Sequence, residues 1–280
     1  MDAKLKRDIE KFAIQIRVGI VEEIEARGFG HIGGSLSVAD LLAVLYGTEM
    51  KYNPADPKWA DRDKLVCSKG HAGPAIYAAL GLKGFFPYEE IKTLNQPGTK
   101  FPSHCDRNKT PGIDMTTGSL GQGTSLAAGM ALGDRLKGRD NRVFLIVGDG
   151  ELNEGQTWEA FMFMAAKKIN NIVVFIDDNK KQLDGYTKDI LDTGDFAKKM
   201  EAFGFDTQRI NGNDVEAVYE AIQNTKKDGD KPFAIVMDTL KGKGIKSVED
   251  TVSNHSMNVQ PQSCDTWLSD LHEELKAYEE

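Results

Sequence analysis

Cysteine is scarce, with only Cys67, Cys105 and Cys264 in a chain of 280 residues. An odd, widely spaced set forms neither a disulfide framework nor a zinc-ligand spacing, and it points to a reducing cytoplasm. No apolar run approaches the roughly 20 residues needed to span a bilayer, so no membrane partner is expected. The N-terminal MDAKLKRDIEKF lacks the apolar core and small-residue cleavage site of a secretory signal. Positive charge is in deficit, with 35 basic residues against 43 acidic and a net charge of -8. That balance argues against nucleic acid as the main partner, because phosphate contacts need a basic face. Two common phosphate-binding loops are also missing. No Walker-type loop occurs, and GDGELNEG displaces the third glycine of a dinucleotide fingerprint.

What is present is a globular composition, 40% hydrophobic and 28% charged. The length suffices for a large buried core. Ile9, Phe12, Ala13, Ile16, Ile20 and Ile24 recur at helical spacing, and Gly28 and Gly30 end that helix. Ser37 with Asp40 three residues on reads as a capping box opening a second helix through LLAVLY. Leu65 to Ser68 reads as a short strand leading into Lys69-Gly70-His71, and a helix through AIYAALGL follows. Residues 95 to 123 are rich in Gly, Pro, Thr and Asn and form a long loop, a functional signal in a compact domain. Helix resumes from Gly123.

Strand and helix then alternate. Strands are expected at 142–147, 172–176, 205–210 and 233–237, with helices at 157–168, 195–203 and 215–225. This is the pattern of an α/β fold, a mostly parallel central sheet with helices on both faces. Strands that are apolar throughout fit burial on both sides. The tail from Lys241 to Ser263 is polar and irregular, and 265–279 reads as a closing helix. No internal repeat or linker divides the chain, so 1–280 is expected to be a single domain.

Ligands of open parallel sheets bind at the carboxyl ends of the strands. Asp149 follows the strand RVFLIV, and Asn179 follows NIVVFI 30 residues later, one strand-helix-strand crossover. Adjacent parallel strands would bring the two together. Their hard oxygens suit Mg²⁺. Gly150 offers an amide that a phosphate can approach, and the helix beginning near Gly155 adds a positive end.

GDGELNEGQTWEA followed by NIVVFIDDN resembles the thiamine-diphosphate fingerprint. GHIGGSLS (30–37), SKGHA (68–72), GSLGQG (118–123), DNKKQLDG (178–185) and KGKG (241–244) then fall in the order of the transketolase pattern. The likeness covers nearly the whole chain and is nearest to the N-terminal subunit of split transketolases. It implies the thiamine-diphosphate-binding fold and a chain that supplies its diphosphate-binding domain. Asp149 and Asn179 resemble side-chain ligands of the cofactor's Mg²⁺, a role Ca²⁺ or Mn²⁺ could fill, with the Lys181 carbonyl as the third ligand. Gly150 matches a phosphate-contacting amide, and Gly118 and Leu120 match positions beside the cofactor rings. Glu154 and Glu159 match interface carboxylates that link two cofactor sites, Glu154 being grouped with the cofactor-binding residues.

The resemblance also covers four of the five histidines. His31 and His255 correspond to residues that move protons and contact substrate or diphosphate. His71 corresponds to one near the diphosphate and the reacting centre, and His104 to one that binds a donor hydroxyl. His272 reads as a surface residue. Imidazole suits this chemistry because its pKa of about 6.5 lets it donate and accept near neutrality. The four-histidine set separates the chain from 2-oxo acid dehydrogenase subunits. The sequence departs from the pattern at Asn254-His255-Ser256, where the family has His-Gly, at Cys105, where Pro is common, and at Ser119.

What the resemblance implies is a ketol transfer from a ketose phosphate to an aldose phosphate. The pyrimidine-binding domain would lie on a C-terminal partner chain, and a second copy of each chain would complete a heterotetramer. Alternatives are a transketolase acting on a modified sugar and a non-catalytic thiamine-diphosphate-binding module.

Overall fold

The computed structural model describes residues 1–227 and 229–278. Five parallel strands form the sheet: β1 (Lys64–Cys67), β2 (Val143–Gly148), β3 (Ile172–Asp178), β4 (Asp206–Asn211) and β5 (Phe233–Asp238), in spatial order β1-β2-β3-β5-β4. Every residue of β2 and β3 is buried. Because side chains alternate across a sheet, these strands feed two separate cores. Phe144, Ile146, Val173 and Phe175 meet α1 (Ala3–Arg27), α2 (Ala39–Val44), α3 (Gly73–Leu82) and α7 (Val215–Asn224). Leu145, Val147, Val174 and Ile176 meet α4 (Gln122–Leu136), α5 (Gly155–Ala166) and α6 (Phe196–Phe203) on the other face. The α/β layering read from the apolar pattern is therefore the observed one. A last helix, α8 (Pro261–Lys276), packs along α1. Its expected end at residue 279 lies outside the described residues. No helix among the described residues is long and apolar enough to cross a membrane.

The expected capping box is absent. Ser37 closes a one-turn helix, Gly33–Leu36, and Val38 precedes α2 with no side-chain cap. Both polar side chains have stronger demands elsewhere. The Ser37 hydroxyl donates to Asp177 at 2.8 Å, and Asp40 accepts from Arg17 at 2.6 Å. A buried carboxylate offered a guanidinium gains more there than from a backbone amide.

The irregular tail hides an antiparallel contact. Phe29–Gly30 pairs with Met257–Asn258, and the Gly33 amide donates to the Asn254 carbonyl at 3.0 Å. These bonds carry the tail back to the start of the chain.

Glu23 in α1 is fully buried, and neither carboxyl oxygen has a hydrogen-bond partner. Burial, with a smaller push from Glu22, raises its pKa well above the usual carboxyl value. A raised folded pKa means the unfolded chain ionises first, so stability is lost as pH rises above about 4.5. Glu23→Met is expected to be more stable than wild type at pH 8 by about 1–3 kcal/mol, with the gap narrowing toward pH 4.5. Urea denaturation at the two pH values measures this, and a constant gap would show that Glu23 does not titrate with folding.

Candidate functional site

The carboxyl ends of β1, β2 and β3 open into a cavity of about 270 Å³. Register places Gly148 of β2 beside Asp177 of β3, so Asp149 and Asn179 leave neighbouring strands at the same level. Both line the cavity. Asp149 Oδ1 accepts from the Gly150 amide at 2.8 Å, while its buried Oδ2 has no partner. Burial, and next the charge of Asp177, push the Asp149 carboxyl up to about 7. Such an oxygen is one that a cation could bind. Asn179 Oδ1 accepts from the Lys181 amide at 3.1 Å. The Lys181 side chain points away and donates to the carbonyls of Glu249 and Thr251, both at 3.0 Å. Its main-chain carbonyl instead takes a 2.9 Å bond from the Lys241 ammonium. No cluster of three or more His, Cys, Asp or Glu among the described residues could hold a metal ion. The oxygens gathered here are one carboxylate, one amide and one main-chain carbonyl, a hard set of the kind Mg²⁺ accepts.

Four histidines share the cavity. His31 lies 5.5 Å from His71, 5.3 Å from His104 and 5.3 Å from His255 between ring centroids, and His71 lies 4.5 Å from His255. They arrive from four segments: the turn after α1, the β1–α3 junction, the long loop and the tail. Burial is the main cause that keeps them neutral. It lowers His31 to about 4, with help from His104 and Lys241, and His255 to about 3, with help from Lys241 and His31. His71 falls well below its ordinary value, through burial and then His255 and Lys69, and burial also lowers His104. Within reach of the imidazoles are two buried cations. Lys69 pairs with Asp177 at 2.6 Å, and the Lys241 ammonium lies 3.3 Å from His255 Nδ1.

Gly118, Leu120 and Gly150 also line the cavity. A Cβ at Gly150 would fall 2.7 Å from the Cβ of Gln182, so packing alone accounts for a glycine there. Glu154, which precedes α5, and Glu159 within it lie outside the cavity wall; Glu154 is exposed. His272 is exposed on α8.

Residue-type reasoning passed over four important side chains. Lys69, Lys241 and Asp177 lay inside or beside quoted motifs without being singled out. Glu151 is the fourth. It is buried, and it accepts from the Gly121 amide at 2.7 Å, the Gly148 amide at 3.1 Å and the Ser68 hydroxyl. It thereby ties the 118–121 loop to the end of β2. The available signal was an acidic residue directly after Gly-Asp-Gly, at the carboxyl end of a strand.

Comparison with known proteins agrees with this arrangement. The family model described as the transketolase thiamine diphosphate binding domain matches residues 9–267. The 6-deoxy-6-sulfo-D-fructose transketolase subunit SqwG of Clostridium sp. (strain MSTE9) is 45% identical over 267 residues, covering 95% of this chain and 97% of that one. One of the apulose-4-phosphate transketolase subunits, from Actinobacillus succinogenes, is 34% identical over 268 residues, covering 95% and 97%. A transketolase from Pichia stipitis, solved in complex with sedoheptulose 7-phosphate, superposes with a TM-score of 0.86 at 27% identity. That match covers 98% of this chain but 45% of the solved one, so the chain spans about half the length of the solved transketolases it matches.

The fold and the cavity define a thiamine-diphosphate-binding α/β domain. The chain belongs to the transketolase family and matches its N-terminal, cofactor-binding part.

The depressed imidazole values give a signed expectation. A lowered folded pKa makes a contribution to stability that is complete above about 6.5 and is lost as pH falls toward about 4 for His31. The melting temperature of wild type relative to His31→Asn is expected to decline over that interval. NMR titration of the imidazoles should find His31 and His255 neutral at pH 5.5. Protonation of either above pH 6 would contradict this account.

Proposed function

We propose that the chain is the thiamine-diphosphate-binding subunit of a two-chain transketolase that uses a modified ketose as donor. The observation that carries the proposal is the buried, partnerless Oδ2 of Asp149, a residue that lines a cavity walled by four neutral histidines and three lysines. A buried carboxylate oxygen without a partner is costly, and a bound cation would offset that cost. Mg²⁺ held by Asp149, Asn179 and the Lys181 carbonyl fits the oxygen set. The diphosphate then adds anionic oxygens whose charge Lys69 and Lys241 offset, so an acidic protein accommodates an anionic cofactor. When bound, thiamine diphosphate supplies the electron sink for breaking and making the ketose C2–C3 bond.

The chain's own part is binding and proton movement. His31, His104 and His255 are neutral, so each has one nitrogen that accepts and one that donates; in His255 the accepting Nδ1 already faces the Lys241 ammonium, leaving Nε2–H to donate. Sugar hydroxyls need both. His71, the more deeply buried neighbour of Lys69, suits a place beside the diphosphate. An anion in the cavity opposes the lysine charges, which add to burial in lowering His31, His71 and His255. Glu154 and Glu159, at the start of α5 and outside the cavity, are suited to face another chain.

Relatives support the two-chain arrangement and the choice of donor. Two that match along almost their whole length are named as transketolase subunits, one for 6-deoxy-6-sulfo-D-fructose and one for apulose 4-phosphate. The nearer in identity is the sulfosugar relative, so the donor proposed first is a ketose bearing an anionic sulfonate in place of phosphate. The partner would carry the pyrimidine-binding domain, and paired copies of the two chains would form a cytoplasmic heterotetramer.

The test is ketol transfer by the purified chain, alone and mixed with the candidate partner, with Mg²⁺ and thiamine diphosphate. Activity is expected only in the mixture, with 6-deoxy-6-sulfofructose preferred over fructose 6-phosphate, and EDTA should abolish it. His31→Ala and His104→Ala should each lower kcat at least about 100-fold with an unchanged melting profile. Wild-type rates in both variants would refute their roles. Transfer by the chain alone would refute the two-chain requirement.

A further inference from the structure

Given the cofactor site proposed above, we propose that Arg17, a residue of α1 that does not line the cavity, is a positioning residue for it. Arg17 acts through the 240–244 turn, which carries Lys241. Its guanidinium works in two directions. Nη2 donates to Asp40 at 2.6 Å, and Nε donates to the Lys243 carbonyl at 3.1 Å. Arg17 and Asp40 are both buried, at 5% and 4% exposure. A second strap runs through Asn213. Its Nδ2 donates to Asp40 Oδ2 at 3.0 Å, and its Oδ1 accepts from the Leu240 amide at 2.8 Å. Asp40 is thus the common anchor of two ties that hold the turn on either side of Lys241.

Lys241 cannot drift between those ties. Its ammonium bonds the Lys181 carbonyl at 2.9 Å, and its own main-chain carbonyl accepts from Asn254 at 3.0 Å. Gly244 shows how closely the turn closes on Arg17. Its φ is +95°, and a Cβ there would lie 2.7 Å from Arg17 Cδ and 2.8 Å from Nε. The segment can fold against the guanidinium only with glycine at that position. The second glycine of Lys-Gly-Lys-Gly therefore serves the contact with Arg17, whereas the first lysine serves the cavity.

The choice of arginine follows from geometry. Arginine holds the carboxylate and the carbonyl from two different nitrogens at a fixed spacing, Nη2 and Nε, whereas a lysine has a single nitrogen that cannot occupy both places. A buried ion pair is a weak source of stability compared with an apolar pair of like volume. What this one supplies is the placement of Lys241, and with it of the Lys181 carbonyl.

Arg17→Lys keeps a cation beside Asp40 and gives up the Nε bond. The double substitution Arg17→Met with Asp40→Asn removes both charges together, so neither variant leaves a buried charge alone. Magnesium thiamine diphosphate is titrated by calorimetry into the full chain and into both variants. Each is expected to bind about 10- to 100-fold more weakly, the range for outer-shell partners. Lys241→Met should lose a similar factor, and combining it with Arg17→Lys should bring no further loss, because both act on one group. Hydrogen exchange without cofactor provides a second readout. The peptide covering 240–245 should exchange several-fold faster in Arg17→Lys while the sheet peptides are unchanged. Wild-type affinity in Arg17→Lys and in the double variant, additive losses with Lys241→Met, or unaltered exchange at 240–245 would each overturn the positioning role. Normal binding by Lys241→Met would instead remove the cofactor site on which it rests.

Discussion

The Lys69–Asp177 ion pair is the joint on which the functional end of the sheet is assembled. Its side chains are 2% and 0% exposed and meet at 2.6 Å. Lys69 sits at the turn after β1, Asp177 near the end of β3. The same carboxylate accepts from Ser37 and Asn179, both at 2.8 Å, and from Thr239 after β5. The Lys69 ammonium also donates to the Gly34 carbonyl at 2.8 Å. One carboxylate and one ammonium thus join the 33–37 turn, the ends of three strands and the Asn179 side chain. In a low-dielectric setting such a network holds only when nearly every donor and acceptor is satisfied. That requirement fixes the geometry more firmly than apolar contacts would.

Against this background the two neighbouring aspartates take opposite roles. Burial alone would raise the Asp177 carboxyl, but Lys69, Thr239 and Asn179 outweigh it and hold the group below the ordinary carboxylate range. Asp149 is also buried and lies just past the end of the neighbouring strand β2, yet its side chain has only the Gly150 amide. Its carboxyl rises to about 7, with the charge of Asp177 contributing. One aspartate is consumed by structure, and the other is left with a free oxygen. The difference lies in which side chain the lysine can reach.

The fold was legible because its signal is local. Runs such as VFLIV and IVVFI are apolar throughout, and only a sheet covered on both faces buries such strands completely. The Asp149 and Asn179 pairing was legible too, since a single crossover between adjacent parallel strands sets both ends level. Other features depend on contacts that no local pattern encodes. Ser37 and Asp40 have capping-box spacing, but their partners, Asp177 and Arg17, lie 140 and 23 residues away. The pairing of Phe29–Gly30 with Met257–Asn258 spans nearly the whole chain on two residues a side. Residue types alone do not distinguish the roles of Asp149, Asp177 and Asp178 either. Asp178 goes to a surface network with Arg209, and nothing in the Asp-Asp-Asn run foretells it.

Those long-range contacts are also what bring the histidines together. His255 belongs to a polar tail with no periodicity of its own. It reaches His31 because Asn254, fully buried, offers its carbonyl to Gly33 and its side-chain amide to the carbonyls of Lys241 and Val248. A residue whose neighbour is anchored on both sides has little freedom left, so ordering its ring costs little at the moment of binding. The remaining adjustment is electrostatic. Burial keeps all four imidazoles neutral, and the charges of Lys241 and Lys69 add to it at His71 and His255, with Lys241 alone adding at His31. Such a cavity suits an anion: the backbone work is done in folding, and a negative charge entering it offsets the two ammonium groups.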